Sequence, residues 1–181
     1  MKCDINRESV MISIRIEEAR DYGAVSAINL AAFEGGPEAD LVDTLRLSCA
    51  DHLSLVAEED GMLVGHILFT PVMVESPDGV VEGMGLAPMA VTPERHRCGV
   101  GSKLVRHGLE VLQKRSCPFV VVLGHPEYYP RFGFERASDH SLRSQWEGVP
   151  DEAFMVLVFD SEILPDGGGV ARYRDEFDAA M

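Results

Sequence analysis

Apolar residues recur along this chain at two different spacings, which predict a succession of strands and helices. Residues 12–18 alternate apolar and polar side chains after Met11 and predict a first strand. Helical spacing follows over residues 22–33 and 38–49, with Asp21 as the expected N-cap of the first helix. Strands are then predicted at residues 53–59, 62–74 and 80–91, joined by tight turns at residues 60–61 and 77–79.

The second half of the chain is organised around one amphipathic helix, predicted from about Gly99 to Arg115. Two apolar runs, residues 119–124 and 153–159, predict buried strands. The remaining segments are expected to be irregular at residues 135–152, a loop at residues 164–170 and an amphipathic tail from residue 171. The succession of elements predicts an α/β protein in which one mixed sheet carries helices on both faces.

Length and charge narrow the function classes. The 181 residues suit a single domain, which we expect to span residues 11–181 after a flexible lead-in of residues 1–10. The formal net charge of −14 disfavours nucleic acid and anionic membranes as partners. The N-terminus has no signal-peptide core and no apolar run could span a bilayer, so we expect a cytoplasmic protein.

The four cysteines show neither C-x-x-C spacing nor a neighbouring cluster of histidines. We therefore expect no metal site and free thiols in a reducing compartment. Cys98 lies near a predicted helix N-terminus, where a thiol can be reactive, but no His–Asp partner pattern supports a covalent acyl-cysteine route.

The segment HRCGVGSKL, residues 96–104, places two glycines between a predicted strand and a predicted helix. A helix N-terminus leaves N–H groups unbonded, and glycine lets an anion approach them, so phosphate is the usual ligand of such a loop. Arg95, Arg97 and Lys103 add positive charge, opposed in the sequence only by Glu94. The spacing fits neither the P-loop nor the dinucleotide fingerprint. The segment is either an anion site of another kind or a glycine-rich turn without a ligand.

Residues 86–105, LAPMAVTPERHRCGVGSKLV, resemble the acyl-CoA-binding segment of the GNAT N-acetyltransferase superfamily. His96, Gly99 and Gly101 stand at the defining positions of its [QR]-x-x-G-x-[GA] motif, with histidine in place of the usual glutamine or arginine. Downstream, YPRFGF at residues 129–134 resembles the Y-x-x-x-G-F segment of the family, and its surroundings resemble a bacterial subgroup of predicted acetyltransferases. The resemblance implies the GNAT-type acyl-CoA N-acyltransferase fold, with a central mixed, mostly antiparallel sheet flanked by helices.

The resemblance also implies acetyl-CoA as co-substrate and a set of residues that bind it. The loop N–H groups would bind the pyrophosphate, and free backbone groups of the preceding strand would bind the thioester and the pantetheine arm. The implied cofactor-binding residues are Met89, Ala90, Val91, His96, Arg97, Cys98, Gly99, Val100, Gly101 and Ser102.

Tyr129 would give its proton to the leaving thiolate, because a phenol with a pKa near 10 is protonated at neutral pH. The alternative is a core tyrosine that packs against Phe132. Glu82 would be the general base, acting through water, although a strand carboxylate is more often plain surface. His66 and His125 are the alternative bases, and a histidine on an apolar strand is usually a packing residue.

The predicted function is transfer of an acetyl group from acetyl-CoA to a primary amine of a small molecule or peptide, by direct attack in a ternary complex. The alternative from another class is a non-catalytic GNAT-like module that senses acyl-CoA or docks a partner. The sequence leaves open the identity of the acceptor amine, the acyl chain length and whether the chain forms a homodimer.

Overall fold

The computed structural model describes residues 11–33 and 37–179, so the predicted lead-in at residues 1–10 lies outside the described residues. The helices are α1 (Tyr22–Ala32), α2 (Pro37–Ser48) and α3 (Val100–Lys114). The first strands are β1 (Ser13–Ile16), β2 (Leu53–Glu59), β3 (Met62–Ser76), β4 (Gly79–Val91) and β5 (Phe119–Leu123). The last strands are β6 (Glu135–Arg136), β7 (Leu142–Ser144), β8 (Phe154–Val158) and β9 (Gly169–Arg172).

The described chain divides into two compact units. The first contains residues up to Leu68 together with Pro88–Gly108, and the second contains Phe69–Ala87 and Leu109–Asp178. Strands β3 and β4 and helix α3 each contribute a part to both units. The expectation of a single domain over residues 11–181 stays a prediction.

In the first unit the strands follow the order β1-β2-β3-β4, and β1 pairs antiparallel with β2 from Ser13↔Glu58 to Ile16↔Leu55. Helices cover both faces of β3. Consecutive strand residues point to opposite faces, so two neighbouring residues show this. Gly65 lies against Val100 and Leu104 of α3, whereas the ring of the next residue, His66, contacts Asn29 of α1. This confirms the predicted placement of helices on both faces of a sheet.

Asp21 precedes α1, as predicted, but its side chain does not cap that helix. Its carboxylate instead accepts two hydrogen bonds from the guanidinium of Arg15, at 2.6 and 2.9 Å, and one from the N–H of Glu18. A bidentate bond to a guanidinium is stronger than a cap bond to an amide, which explains the difference. The Arg15 hydrogen bond also lowers the pKa of Asp21 to about 2.

In the second unit the strand order is β7-β9-β3-β4-β5-β8-β6. The pairs β4–β5 and β7–β9 are parallel, and the pairs β3–β9, β5–β8 and β6–β8 are antiparallel. The parallel ladder of β4 and β5 runs from Met84↔Val120 to Leu86↔Val122. The prediction of a mixed, mostly antiparallel sheet is therefore confirmed.

Three strands contradict the predictions for the C-terminal third. Residues 135–152, expected to be irregular, contain β6 and β7, and the predicted loop and tail contain β9. Each of these strands has two to four residues, too few to show a period of two in the sequence. They are strands because longer neighbours provide the hydrogen-bond ladder.

Within the described part of the chain, no helix combines the length and apolar character needed to cross a membrane.

Candidate active site

The loop between β4 and α3 has the backbone geometry of an anion-binding helix start. The first hydrogen bond of α3 runs from the N–H of Lys103 to the carbonyl of Gly99, at 3.0 Å. The N–H groups of Val100, Gly101 and Ser102 precede that bond and have no partner within the helix. Gly99 has a φ of +84° and Arg97 a φ of +61°, so two left-handed residues turn the chain into the helix. The glycine at position 99 fits this conformation without strain.

The first half of the loop is closed on itself. The N–H groups of His96 and Cys98 donate to the carbonyls of Pro93 and Arg95, and the Nε2 of His96 donates to the carbonyl of Val91 at 2.9 Å. The expectation that the carbonyl of Val91 is free is therefore wrong, because the histidine side chain folds back onto it. The side chain of Val100 is buried, so only its backbone could face a ligand.

The charge around the loop is smaller than the sequence suggested. Arg95 is not opposed by Glu94 alone, because its Nε lies 2.5 Å from Oε2 of the buried Glu59. Arg97 and Lys103 are exposed. Positive charge at the loop therefore comes chiefly from the side chains of Arg97 and Lys103 and from the N-terminal end of α3.

Met89, Ala90 and Val91 form the end of β4, as predicted. Ala90 is buried, and Met89 and Val91 are half-buried. An added Cβ at Gly65 would lie 3.3 Å from the carbonyl oxygen of Ala90 and 3.0 Å from side-chain atoms of Leu104 and Val100. Glycine at position 65 therefore lets β3, the end of β4 and the start of α3 pack closely.

Tyr129 opens a 3₁₀ turn, Tyr129–Phe132, in the second unit, and its residue is 7% exposed. Its ring packs edge-on against Tyr128 and Phe134, with centroids 5.1 and 5.6 Å away, and lies 6.5 Å from Phe132. The packing alternative considered from the sequence is thus present, with Phe134 a closer neighbour than Phe132. Burial first, and then the neighbouring Tyr128, raise the pKa of Tyr129, so its phenol keeps its proton at neutral pH.

Two glycines hold this tyrosine in place. An added Cβ at Gly124 would collide with Cε2 of Tyr129, so the ring rests directly on the backbone after β5. Gly133 ends the turn with a φ of +94°. The motif Y-x-x-x-G-F therefore has a structural reason for its glycine. Gly124 was missed by the sequence reasoning, although a glycine directly after a buried strand is a usable signal of close packing.

The candidate bases differ sharply in environment. Glu82 is an exposed residue of β4, and His125 is exposed in the loop after β5. His66 is 0% exposed, and both ring nitrogens are hydrogen-bonded, to Asn29 and to Ser54. Burial lowers the pKa of His66 to about 3, so it is neutral and fully engaged in packing. Among the described residues, no group of three or more His, Cys, Asp or Glu side chains is arranged to hold a metal ion.

Comparison with known proteins gives the chain close relatives. The model of the acetyltransferase (GNAT) domain matches residues 13–137. An uncharacterised N-acetyltransferase of Escherichia coli K12, YhbS, is 36% identical over 165 residues, which cover 91% of this chain and 97% of YhbS. A second one, YjhQ, is 41% identical over 125 residues, which cover 68% of this chain and 69% of YjhQ.

Solved structures agree with these relatives. The crystal structure of YhbS from Escherichia coli in complex with CoA has a TM-score of 0.86 at 34% identity, covering 96% of this chain and 95% of that one. A GNAT family acetyltransferase from Brucella melitensis in complex with acetyl-CoA has a TM-score of 0.75 at 33% identity, covering 93% and 99%. The GNAT fold implied by the resemblance is thereby confirmed. This chain belongs to the GNAT acetyltransferase family.

Proposed function

We propose that the protein transfers an acetyl group from acetyl-CoA to a primary amine of a small molecule or peptide, by direct attack in a ternary complex. The observation that carries the proposal is the run of N–H groups at residues 100–102, ahead of the first hydrogen bond of α3. Such a run binds diphosphate oxygens without any side chain. The crystal structures of relatives in complex with CoA and with acetyl-CoA support coenzyme A as the ligand that carries this diphosphate.

Both backbone groups and side chains would bind acetyl-CoA. Gly99, Val100, Gly101 and Ser102 contribute N–H groups, and Arg97 contributes charge. Backbone N–H groups at the end of β4, from Met89 to Val91, would polarise the thioester carbonyl as it gains negative charge. Holding the thioester and the amine together supplies most of the rate enhancement, because a bimolecular reaction then becomes effectively unimolecular.

Tyr129 is assigned the proton that the leaving thiolate takes up. Its raised pKa keeps the phenol protonated until the carbon–sulfur bond breaks. The same dry surroundings raise the proton affinity of a thiolate formed beside it, so burial does not block the transfer. Glu82 remains the proposed base, through water, because a lysine-like amine with a reference pKa of about 10.4 must lose its proton before it can attack.

The reaction is tested by following free thiol after acetyl-CoA is mixed with the protein and a panel of amines: spermidine, glucosamine, glycinamide, isobutylamine and an alanyl peptide. We expect thiol release with at least one amine, and a loss of about 10²-fold or more in kcat for Tyr129→Phe with unchanged affinity for CoA. The matched control is Tyr22→Phe, which removes an exposed phenol on α1. Binding of CoA without thiol release on any amine would favour the sensor instead.

The diphosphate assignment has its own test, the variant Gly99→Ala. The chain offers a close control in Gly61, because both glycines have a positive φ, +84° and +78°, and open space where a Cβ would go. Both substitutions should lower the free energy of unfolding by roughly 1–2 kcal/mol through backbone strain. Only Gly99→Ala should weaken CoA binding, by about tenfold, as measured by calorimetry. Equal affinity in the two variants would remove the loop from the site.

A further inference from the structure

Two hydroxyl groups of the second unit are buried without a hydrogen-bond partner in the described part of the chain. They are Oη of Tyr173 and Oγ1 of Thr70, on residues that are 6% and 0% exposed. A buried hydroxyl without a partner costs about 1–3 kcal/mol, so few survive in a folded protein without a role. Neither residue was singled out by the sequence reasoning.

The ring of Tyr173 crosses β4 at Gly85. An added Cβ there would lie 2.5 Å from Cε1 of Tyr173 and 2.7 Å from Cγ2 of Val72, so only glycine leaves room for the ring. Thr70 lies two residues before Val72 on β3 and therefore shares its face of the strand. The two hydroxyls thus belong to one side of the sheet, next to the position where β4 pairs with β5 at Gly85↔Val121.

The unpartnered state of Tyr173 does not come from a loosely held side chain. Its ring packs against Trp146 and Phe177, with centroids 5.1 and 5.2 Å away, and its N–H donates to Oε1 of Gln145 at 2.7 Å. Gln145 and Trp146 in turn both donate to Oδ1 of Asp178. The ring is therefore fixed from several sides while its hydroxyl is left unsatisfied.

The pKa of this hydroxyl is set by burial and by another phenol. Burial raises the pKa of Tyr173, and Tyr129 is the group whose charge would raise it further. Tyr129 is itself an uncharged phenol at neutral pH, because burial raises its pKa as well. A charged ligand group would be desolvated here without a counter-charge, which is costly. A neutral group that both donates and accepts hydrogen bonds matches two hydroxyls, each of which can donate one and accept two.

We propose that the hydroxyls of Tyr173 and Thr70 bind an uncharged polar group of the acceptor, an amide or a hydroxyl, and so select the amine substrate. This deepens the proposed function and rests on it. Because neither oxygen is exposed, the acceptor reaches them only if the segment that carries Tyr173 shifts. The hydrogen bonds of Gln145 and Trp146 to Asp178, which hold that segment, lie at the exposed surface.

The test compares two amines of the same size, glycinamide and isobutylamine, with wild-type protein and Tyr173→Phe. We expect the variant to lose about threefold to tenfold in kcat/KM for glycinamide, the effect of one uncharged hydrogen bond. The kcat/KM for isobutylamine and the KM for acetyl-CoA should stay within about twofold. Tm should stay equal or rise, because an unsatisfied buried hydroxyl is removed. Tyr22→Phe is the matched control and should alter none of these values.

Each other outcome overturns the proposal in a distinguishable way. Equal losses for both amines, or no loss for either, show that Tyr173 does not read a polar group of the acceptor. A lower Tm with unchanged kinetics shows that an ordered water satisfies the hydroxyls. Wild-type protein that releases no thiol with glycinamide while it acetylates other amines rejects this acceptor class. Wild-type protein that releases thiol with no amine overturns the proposed function itself.

Discussion

Both units bury polar side chains, but they satisfy them to different degrees. In the first unit, Ser54 and His66 belong to a hydrogen-bonded network that runs from Arg46 on α2 to the core. In the second unit, Thr70 and Tyr173 are buried as deeply and have no partner among the described residues. The first arrangement is what stability alone requires, whereas the second is kept at a cost in stability.

In the hydrogen-bonded network of the first unit, the ion pair at one end determines which group donates in each hydrogen bond. Glu17 is ion-paired with Arg46, so its carboxylate accepts the proton of the Ser54 hydroxyl at 2.6 Å. Ser54 can then only accept from Nε2 of His66, at 2.9 Å, which leaves Nδ1 to accept from the amide of Asn29 at 3.2 Å. One atom, Oδ1 of Asn29, remains without a partner in the described chain. The network thus fixes the tautomer of a neutral histidine.

The first cluster consists of Arg46, Glu17, Ser54, His66 and Asn29, and the second consists of Thr70 and Tyr173. The contrast between them suggests that the two clusters serve different purposes. The chain from Arg46 to Asn29 joins β2, β3, α1 and α2 and leaves little for a ligand to do. The hydroxyls of Thr70 and Tyr173 keep their full hydrogen-bonding capacity for a group that enters from outside. Substitutions in the first cluster should therefore lower stability, and substitutions in the second should lower activity without lowering stability.

The largest expected effect is that of Arg46→Met, which leaves the carboxylate of Glu17 buried without its cation. The side chains of the pair are 5% and 3% exposed, and Nη2 lies 2.5 Å from Oε1. Breaking a buried pair costs about 3–5 kcal/mol in free energy of unfolding, measurable by urea denaturation. The control is Arg20→Met, whose partner Glu18 is exposed, with an expected loss below about 1 kcal/mol. Equal losses would mean that the first cluster does not hold the unit together.

The sequence predicted the long elements and the sites that depend on local geometry. Helix α3 was found from its apolar stripe, and Leu104, Val105, Leu109 and Leu112 are all buried. The glycine loop and the Tyr129 turn were found because their residue types are demanded by backbone conformation within a few positions. A positive φ at Gly99 or Gly133 is a local requirement and leaves a local signal.

The features that could not be predicted from the sequence are contacts between residues that are far apart along the chain. Tyr173 meets Gly85, 88 positions earlier, and the pairing of Arg95 with Glu59 joins residues 36 positions apart. Strand β9 exists because β3 and β7 provide its ladder. Neither periodicity nor motif spacing encodes such contacts, so the buried hydroxyls of Thr70 and Tyr173 could not be predicted from the sequence.

The second prediction concerns the pH dependence that His66 gives to the first cluster. The unfolded chain binds a proton near pH 6.5, but burial lowers the pKa of the folded histidine to about 3. Between these values the unfolded state binds more protons, so the free energy of unfolding falls as the pH drops, by up to about 1.4 kcal/mol per unit. Urea denaturation of His66→Gln between pH 7 and pH 4 should show a flatter profile. A slope that matches wild type would show that His66 is not held neutral, and exposed His125→Gln serves as the control.

Ser54→Ala should have the next largest effect, because it removes the link between Glu17 and His66. The carboxylate loses a donor at 2.6 Å and the imidazole loses an acceptor at 2.9 Å. Leaving buried groups unsatisfied costs about 1–3 kcal/mol, which chemical denaturation resolves. The double variant Ser54→Ala with His66→Leu should lose less than the sum of the single variants, since the two side chains share one network. Strict additivity would argue against a connected chain.

The smallest expected effect, and the sharpest test of the contrast, is that of Thr70→Val. Valine has nearly the shape of threonine but lacks the hydroxyl, so the variant removes the unpartnered Oγ1 without opening a cavity. The free energy of unfolding should stay unchanged or rise by about 1 kcal/mol, the opposite sign from Ser54→Ala, which removes another buried hydroxyl. Activity with glycinamide should fall while activity with isobutylamine is retained. A loss of stability as large as that of Ser54→Ala would mean that Thr70 is satisfied by an ordered water, and the contrast between the two clusters would not hold.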